Sequence, residues 1–429
     1  MSAPHSSESS AAPSGTRRVA ISGLGAVSPY GWGVRALELG LESGRAAIGA
    51  IRAFDAAAHR TQLAGEVPAP ALDPLPELRP RERARLTRSE LYALAAAYEA
   101  WHAAGLAQLP HPRRVGVFFG STTGGMYEGE HFVRELRAGR APRAGSSRLG
   151  AQQNNAPGDA IARALALCGP VETDSAACAA ASMSLGAALA AVRSGEVELA
   201  LAGGADALCQ LTYAGFNALR AVDDSAARPF RADRGGLSIG EGAGVLVLES
   251  FEHARARGRA IELELAGAGA SCDAHHMTAP EPEGAGAARA LRAALADAGL
   301  EPAAIDFVNA HGTGTPHNDA AEGRALHAVF GARTARLPLT STKGAVGHLL
   351  GACGALEAVA TALCLRAQRV HATPGAGPAD PEIGIDLVLG EPRALAAAHA
   401  AISLNLAFGG ANAALVLRRV HAAAEGRRA

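Results

Sequence analysis

Thr173-Asp174-Ser175-Ala176-Ala177-Cys178 runs directly into an uncharged, alanine-rich stretch that ends at Val192, before Arg193. The apolar start Gly169-Pro170-Val171-Glu172 precedes it, so the segment reads as strand, small-residue turn, helix. That succession is the building unit of layered α/β proteins. A side chain at such a turn stands exposed at a helix N-terminus, where unpaired N–H groups and the helix dipole stabilise a thiolate and lower its pKa. The same N–H groups can hold an oxyanion. Taken alone, Cys178 reads more readily as a small buried hydrophobe.

Working outward, apolar and β-branched runs mark strands at 18–27, 114–119, 197–202 and 244–249, then at 261–266, 305–310, 337–342, 401–406 and 413–417. Alanine-rich helical patterns lie between them at 86–104, 178–193, 285–298, 320–330 and 352–366. Each half starts with a strand, later sends a strand into a functional turn, and closes with a strand pair. A duplicated, layered α/β architecture with buried, mostly mixed sheets is expected. Its halves are placed at 17–260, with the cysteine, and 261–419, with two notable histidines; residues 1–16 and 420–429 are read as flexible tails.

Those histidines give Cys178 its second reading. His311 follows the strand at 305–310 and opens Gly312-Thr313-Gly314-Thr315-Pro316. His348 closes Lys343-Gly-Ala-Val-Gly-His348 after the strand at 337–342. A thiol with two neutral imidazoles suits acyl-thioester chemistry, the rings donating from Nε2 to a thioester oxygen and stabilising an enolate. Lys343 and Glu357 are charges in apolar surroundings and are expected to join a hydrogen-bonded network around the histidines. The segment Leu404 to Asn412 contains Phe408-Gly409-Gly410, which reads as a second oxyanion donor and gate, or as a plain turn. A metal site built from His311, His317, Asp319, Glu322 or His275-His276 is the rival, but no compact ligand spacing occurs. Asp319 and Glu322 are expected instead to cap and start the following helix. The stretch Ile21-Ser-Gly23-Leu-Gly25 looks like a truncated dinucleotide fingerprint after a strand, but lacks the third glycine.

Composition excludes other classes. The 429 residues carry 40 Lys+Arg against 41 Asp+Glu, a net charge of −1, so nothing global favours nucleic acid or an anionic membrane. The run 175–192 is long enough to span a bilayer only marginally and is built from Ala, Ser and Gly, which suits a core helix. Six cysteines without a Cys-x-x-Cys pair read as reduced thiols, and a cytoplasmic location is expected.

With these motifs quoted, the chain from about Arg17 to Arg419 resembles the β-ketoacyl-[acyl-carrier-protein] synthases of the elongating, decarboxylating type. Ile21 to Ser28, Asp174 to Cys178, Ala202-Gly-Gly-Ala-Asp206, Arg228 to Arg234 with Gly240 to Gly244, His311 to Thr315, Lys343 to His348 and Phe408 to Gly410 carry the resemblance. It implies the thiolase-like fold, two α/β halves in five α-β-α-β-α layers, and a dimer, either a homodimer or a heterodimer with a ketosynthase-like chain-length factor. It implies no cofactor and no metal, the substrates riding on the phosphopantetheine arm of an acyl carrier protein. Cys178 would take the acyl chain, and His311 and His348 would assist decarboxylation. Lys343 and Glu357 would order them, and the N–H groups of Cys178 and Phe408 would form the oxyanion hole. Thr313 and Thr315 would contact the pantetheine arm, Thr123 and Phe216 would line the acyl pocket with Phe408, and Arg220 and Arg143 would meet the carrier protein. The polar run Gln152-Gln-Asn-Asn155 and the small Thr123 depart from the fatty-acid pattern. They lean toward polyene or polyketide pathways, including the aryl-polyene type. A non-catalytic chain-length-factor subunit is the alternative.

Overall fold

The computed structural model describes residues 17–107, 114–140 and 147–420. The tail 1–16, the tail 420–429 apart from Val420, and Arg143 lie outside them. The N-terminal half contributes β1 (Val19–Ser28), α1 (Arg88–Ala103), β2 (Val115–Gly120), β3 (Val171–Asp174), α2 (Ala180–Ser194), β4 (Leu199–Asp206), α3 (Gln210–Ala218) and β5 (Gly242–Ser250). The C-terminal half contributes β6 (Leu263–Cys272), α4 (Ala285–Ala298), β7 (Phe307–Asn309), α5 (Pro316–Phe330), β8 (Pro338–Thr340), α6 (Cys353–Ala367), β9 (Asp386–Leu387), β10 (Ala400–Leu406) and β11 (Ala411–Arg419).

The strands join in the order β9-β8-β7-β10-β11-β6-β1-β5-β4-β2-β3. Reading outward from β1, the pairings with β5 and β4 are antiparallel and those to β2 and β3 parallel. Reading outward from β6, β11 and β10 pair antiparallel, then β7 and β8 parallel. The two halves therefore share one topology, which is the duplication expected from the sequence. They meet where β1 and β6 pair over Ala20↔Glu264 and Ile21↔Leu263.

Helices α2 and α6 lie in the middle layer, touching each other and strands of both halves; α1 covers β1 and β5 outside one half, and α4, with α5 packed against it, covers β6 and β11 outside the other. This is the five-layer α-β-α-β-α arrangement. Small residues make it possible. A Cβ on Gly244 of β5 would lie 2.5 Å from the Ala355 carbonyl carbon and the Leu356 nitrogen of α6. Leu356 and Val359 are wholly buried on α6, and burying such side chains stabilises the fold by roughly 1.5–3 kcal/mol each. The helical stretches Ala177–Ser194 and Leu350–Ala367 have the length and hydropathy to cross a membrane, but are 61% and 89% buried inside the protein. Their apolarity serves the middle layer.

The dinucleotide-like stretch is corrected here. Ile21 to Gly25 lies within β1, not after a strand. Cβ atoms on Gly23 and Gly25 would meet the carbonyl oxygens of Ala100 and Ala96 at 2.2 and 1.8 Å. These glycines let α1 press against β1, and no phosphate loop exists there. Helix α1 starts with a capping box, Thr87 and Glu90 each accepting the other's backbone N–H.

Candidate active site

Three turns at the ends of parallel strands converge. After β3, Ala177 takes a left-handed backbone (φ 47°) and the turn Ala177–Ala179 presents Cys178 ahead of α2. After β7 comes His311. After β8 the short helix Lys343–Val346 intervenes before His348, whose backbone bridges Ile239, so His348 does not stand at the strand end itself. The sulfur and one ring nitrogen from each histidine all lie within 4.8 Å of one another. The two rings stand nearly perpendicular, 87° apart with centroids at 5.7 Å.

Burial controls the electrostatics. Cys178 is not exposed as expected; it is 8% accessible, and burial pushes its thiol up to about 11. The Lys343 charge and the N–H groups of Phe408 and of Cys178 itself pull the other way without winning. The helix start therefore offers stabilisation of the anion, yet the resting group is a thiol. Burial, with the nearby Lys343 charge, pushes His348 down to about 3 and His311 well below its ordinary range, so both rings are neutral.

Which nitrogen carries hydrogen follows from the partners. Leu350 N–H donates to His348 Nδ1 at 3.0 Å, and the Cys353 sulfur lies 3.6 Å from the same nitrogen. Asn405 Nδ2 lies 3.5 Å from His311 Nδ1 and donates to Glu357 Oε2 at 2.7 Å, while its Oδ1 accepts from Ser182 Oγ at 2.6 Å. Those partners fix the amide orientation and leave the hydrogen of each imidazole on Nε2. Cysteine and two histidines could otherwise hold a soft divalent ion. A metal-binding imidazole, however, normally donates through its second nitrogen, and here the second nitrogens receive. The rings are wired to give protons.

Beneath them, Lys343 Nζ donates to Glu357 Oε1 at 2.5 Å, both side chains almost fully buried. Burial alone would lower the Lys343 pKa; the Glu357 carboxylate overrides it and keeps the ammonium charged. Asp319 lies in the first turn of the next helix, which begins at Pro316 behind Thr315, but neither it nor Glu322 caps that helix. Glu322 accepts from the N–H groups of His311 and Gly312 at 2.6 and 2.8 Å, and Asp319 from Phe230 and Gly314 at 2.7 and 3.2 Å. They shape the His311 turn because those backbone donors have no strand partner.

A cavity of about 440 Å³ opens onto Cys178, His311 and His348. Thr313, Thr315, Phe216, Phe408 and the exposed Arg220 line it. Phe216 and Phe408 stack at 5.7 Å and 24°, closing one side. Thr123 is absent from this lining; its hydroxyl donates to Asp206 at 2.9 Å. Thr123 is buried beside the Ser121 turn, its hydroxyl engaged by the Asp206 carboxylate. Asn405, Asn309 and Asp206 were not assigned roles from sequence. A buried amide inside the apolar strand β10 was the available signal for Asn405.

Sequence profiles described as "Beta-ketoacyl synthase, N-terminal domain" and "Beta-ketoacyl synthase, C-terminal domain" match residues 16–254 and 263–376. A 3-oxoacyl-[acyl-carrier-protein] synthase 2 of Synechocystis sp. is 37% identical over 411 residues, 94% of this chain and 98% of its own. A putative polyketide beta-ketoacyl synthase 1 of Streptomyces cyaneus is 38% identical over 417 residues, again 94% and 98%. The solved ishigamide ketosynthase/chain length factor superposes with a TM-score of 0.89 at 37% identity, covering 95% of this chain and 100% of its own. By sequence over nearly its whole length, and by the fold that carries it, this chain belongs to the β-ketoacyl synthase family, the acyltransferase-class condensing enzymes.

Proposed function

We propose that this chain condenses an acyl group held on Cys178 with a malonyl group on an acyl carrier protein, lengthening the chain by two carbons. The single observation that carries the reading is the meeting of one thiol and two Nε2-protonated imidazoles at the end of one cavity. In the first step Sγ attacks the acyl thioester. It loses its proton as the departing pantetheine sulfur gains one, and the N–H groups of Cys178 and Phe408 hold the oxyanion. Malonyl-carrier protein then enters, and His311 and His348 donate to its thioester oxygen. Carbon dioxide leaves and the resulting enolate attacks the acyl carbon. Collapse of the second oxyanion expels the Cys178 sulfur and yields the 3-oxoacyl product. Lys343 and Glu357 order His311 through Asn405. Thr313 and Thr315 stand where the pantetheine arm would pass, and Arg220 stands at the mouth.

The same arrangement speaks against a non-catalytic chain-length subunit, since all three reacting groups are present together. Pairing with a second ketosynthase-like chain, identical or not, is supported by β3, an edge strand that leaves Val171 39% exposed at the end of the sheet. The polar run Gln152 to Asn155, with the small Thr123, favours a polyketide or polyene chain over a saturated one. Six free cysteines support a reducing, cytoplasmic setting. The test is intact-protein mass spectrometry after incubation with an acyl-carrier-protein thioester. The wild type gains the acyl mass and Cys178→Ala does not; acylation of the variant would overturn the assignment.

A further inference from the structure

Asp206, the last residue of β4, is fully buried and accepts an unusual number of hydrogen bonds. The Ser121 hydroxyl and the N–H and hydroxyl groups of Thr122 and Thr123 reach it at 2.7–3.1 Å. The remaining donor comes from the other half: Gly351 N–H, 2.6 Å from Oδ2, with Thr122 Oγ1 as a second acceptor at 3.2 Å. Gly351 follows Leu350, whose backbone is left-handed at φ 56° although it is not glycine. Such a conformation costs energy and persists only where neighbours impose it. It aims Leu350 N–H at His348 Nδ1. The Ser121 turn also touches the nucleophile's turn, since Ser121 O accepts from Ser175 Oγ at 3.1 Å.

We infer that Asp206 is a positioning residue for His348: by holding Gly351 N–H it maintains the strained turn whose Leu350 N–H keeps the imidazole hydrogen on Nε2. The inference rests on the condensing activity proposed above only for its kinetic consequence; the tautomer itself is independent of turnover. Asp206→Asn replaces an acceptor oxygen with a donor that opposes the surrounding N–H groups. Thr122→Val removes only the supporting hydroxyl.

Carbon dioxide release from malonyl-carrier protein is measured between pH 5 and 9 for wild type, Asp206→Asn and Thr122→Val, beside acylation of Cys178. Asp206→Asn is expected to keep acylation and to lose about tenfold or more in decarboxylation. Its acid limb should move up toward the ordinary histidine range, as water reaches a loosened ring. Thr122→Val should move the same way by less, and decides the matter if Asp206→Asn does not fold. Nitrogen-15 imidazole spectra read the tautomer directly, with His348→Gln for assignment. An unshifted Nε2–H signature in both variants overturns the inference, as does equal loss of acylation and decarboxylation with an unchanged pH profile. A wild type that releases no carbon dioxide refutes the proposed reaction, while the spectra still decide the role of Asp206.

Discussion

Ala177 and Leu350 carry the same left-handed backbone, φ 47° and 56°, at corresponding points of the two halves. Each opens a three-residue turn, Ala177–Ala179 and Leu350–Ala352, that leads into a fifteen-residue central helix. In one half the next residue is Cys178; in the other it is Gly351, whose N–H is held by Asp206. One left-handed elbow thus presents Cys178, the proposed nucleophile, and its counterpart directs Leu350 N–H to His348 and Gly351 N–H to Asp206. Strain of this kind costs roughly 1–3 kcal/mol per residue, offset here by the packing of α2 against α6.

A buried thiol pushed up to about 11 should alkylate slowly at neutral pH. The rate of Cys178 modification by iodoacetamide is expected to rise about tenfold per pH unit from 7 to 10, following the thiolate fraction. A plateau reached near pH 7 would contradict it. The unfolded thiol ionises at about 8.5, before the folded one, so this group's contribution to stability is full below that pH and is lost as pH rises toward 11.

The histidines shift the opposite way. Unfolded imidazoles take up protons below about 6.5, whereas His348 stays neutral until about 3 and His311 is also held well below its ordinary range. Their contribution to stability is present above pH 6.5 and is lost as pH falls toward 3. Chemical denaturation at pH 7.5, 6 and 5 should show falling stability, with a shallower fall in His348→Asn. Decarboxylation should show no acid limb near pH 6.5 in the wild type.

Removing one partner of the Lys343–Glu357 pair strands a buried charge. Lys343→Met or Glu357→Gln is expected to destabilise the protein by about 3–5 kcal/mol, read from urea midpoints. The double substitution Lys343→Met/Glu357→Leu should recover much of that stability without recovering condensation. Equal midpoints for single variants and wild type would mean the pair contributes no more than a surface ion pair.

Arg220 is exposed at the cavity mouth. Arg220→Glu should raise KM for the carrier-protein substrate several-fold, roughly, with kcat little changed, and the difference should shrink as salt is added. A salt-independent effect on kcat alone would place this residue in the chemistry and not in docking.

Much of this was legible in the chain. The strand runs, the central helix 353–367 and the motif turns around Cys178, His311 and His348 follow local rules of periodicity and small-residue punctuation, which need no neighbour to be read. Local rules failed where a residue's partner is remote. Glu322 looked like a helix-start carboxylate and turned out to clamp the His311 turn. Gly23 and Gly25, read as a turn after a strand, lie within β1 and serve a helix contact. Thr123 and Asn405 took their places from carboxylates far away in sequence.

The sequence by itself determined the fold class, the family likeness and the candidate thiol and imidazoles, because these depend on residue type and on spacing along the chain. Only the tertiary structure decided that the thiol rests protonated, that both rings carry hydrogen on Nε2, and that a carboxylate of one half accepts a backbone N–H from a turn of the other. Charge state and tautomer depend on burial and on donors brought from distant segments, and those exist only once the two halves have closed on α2 and α6.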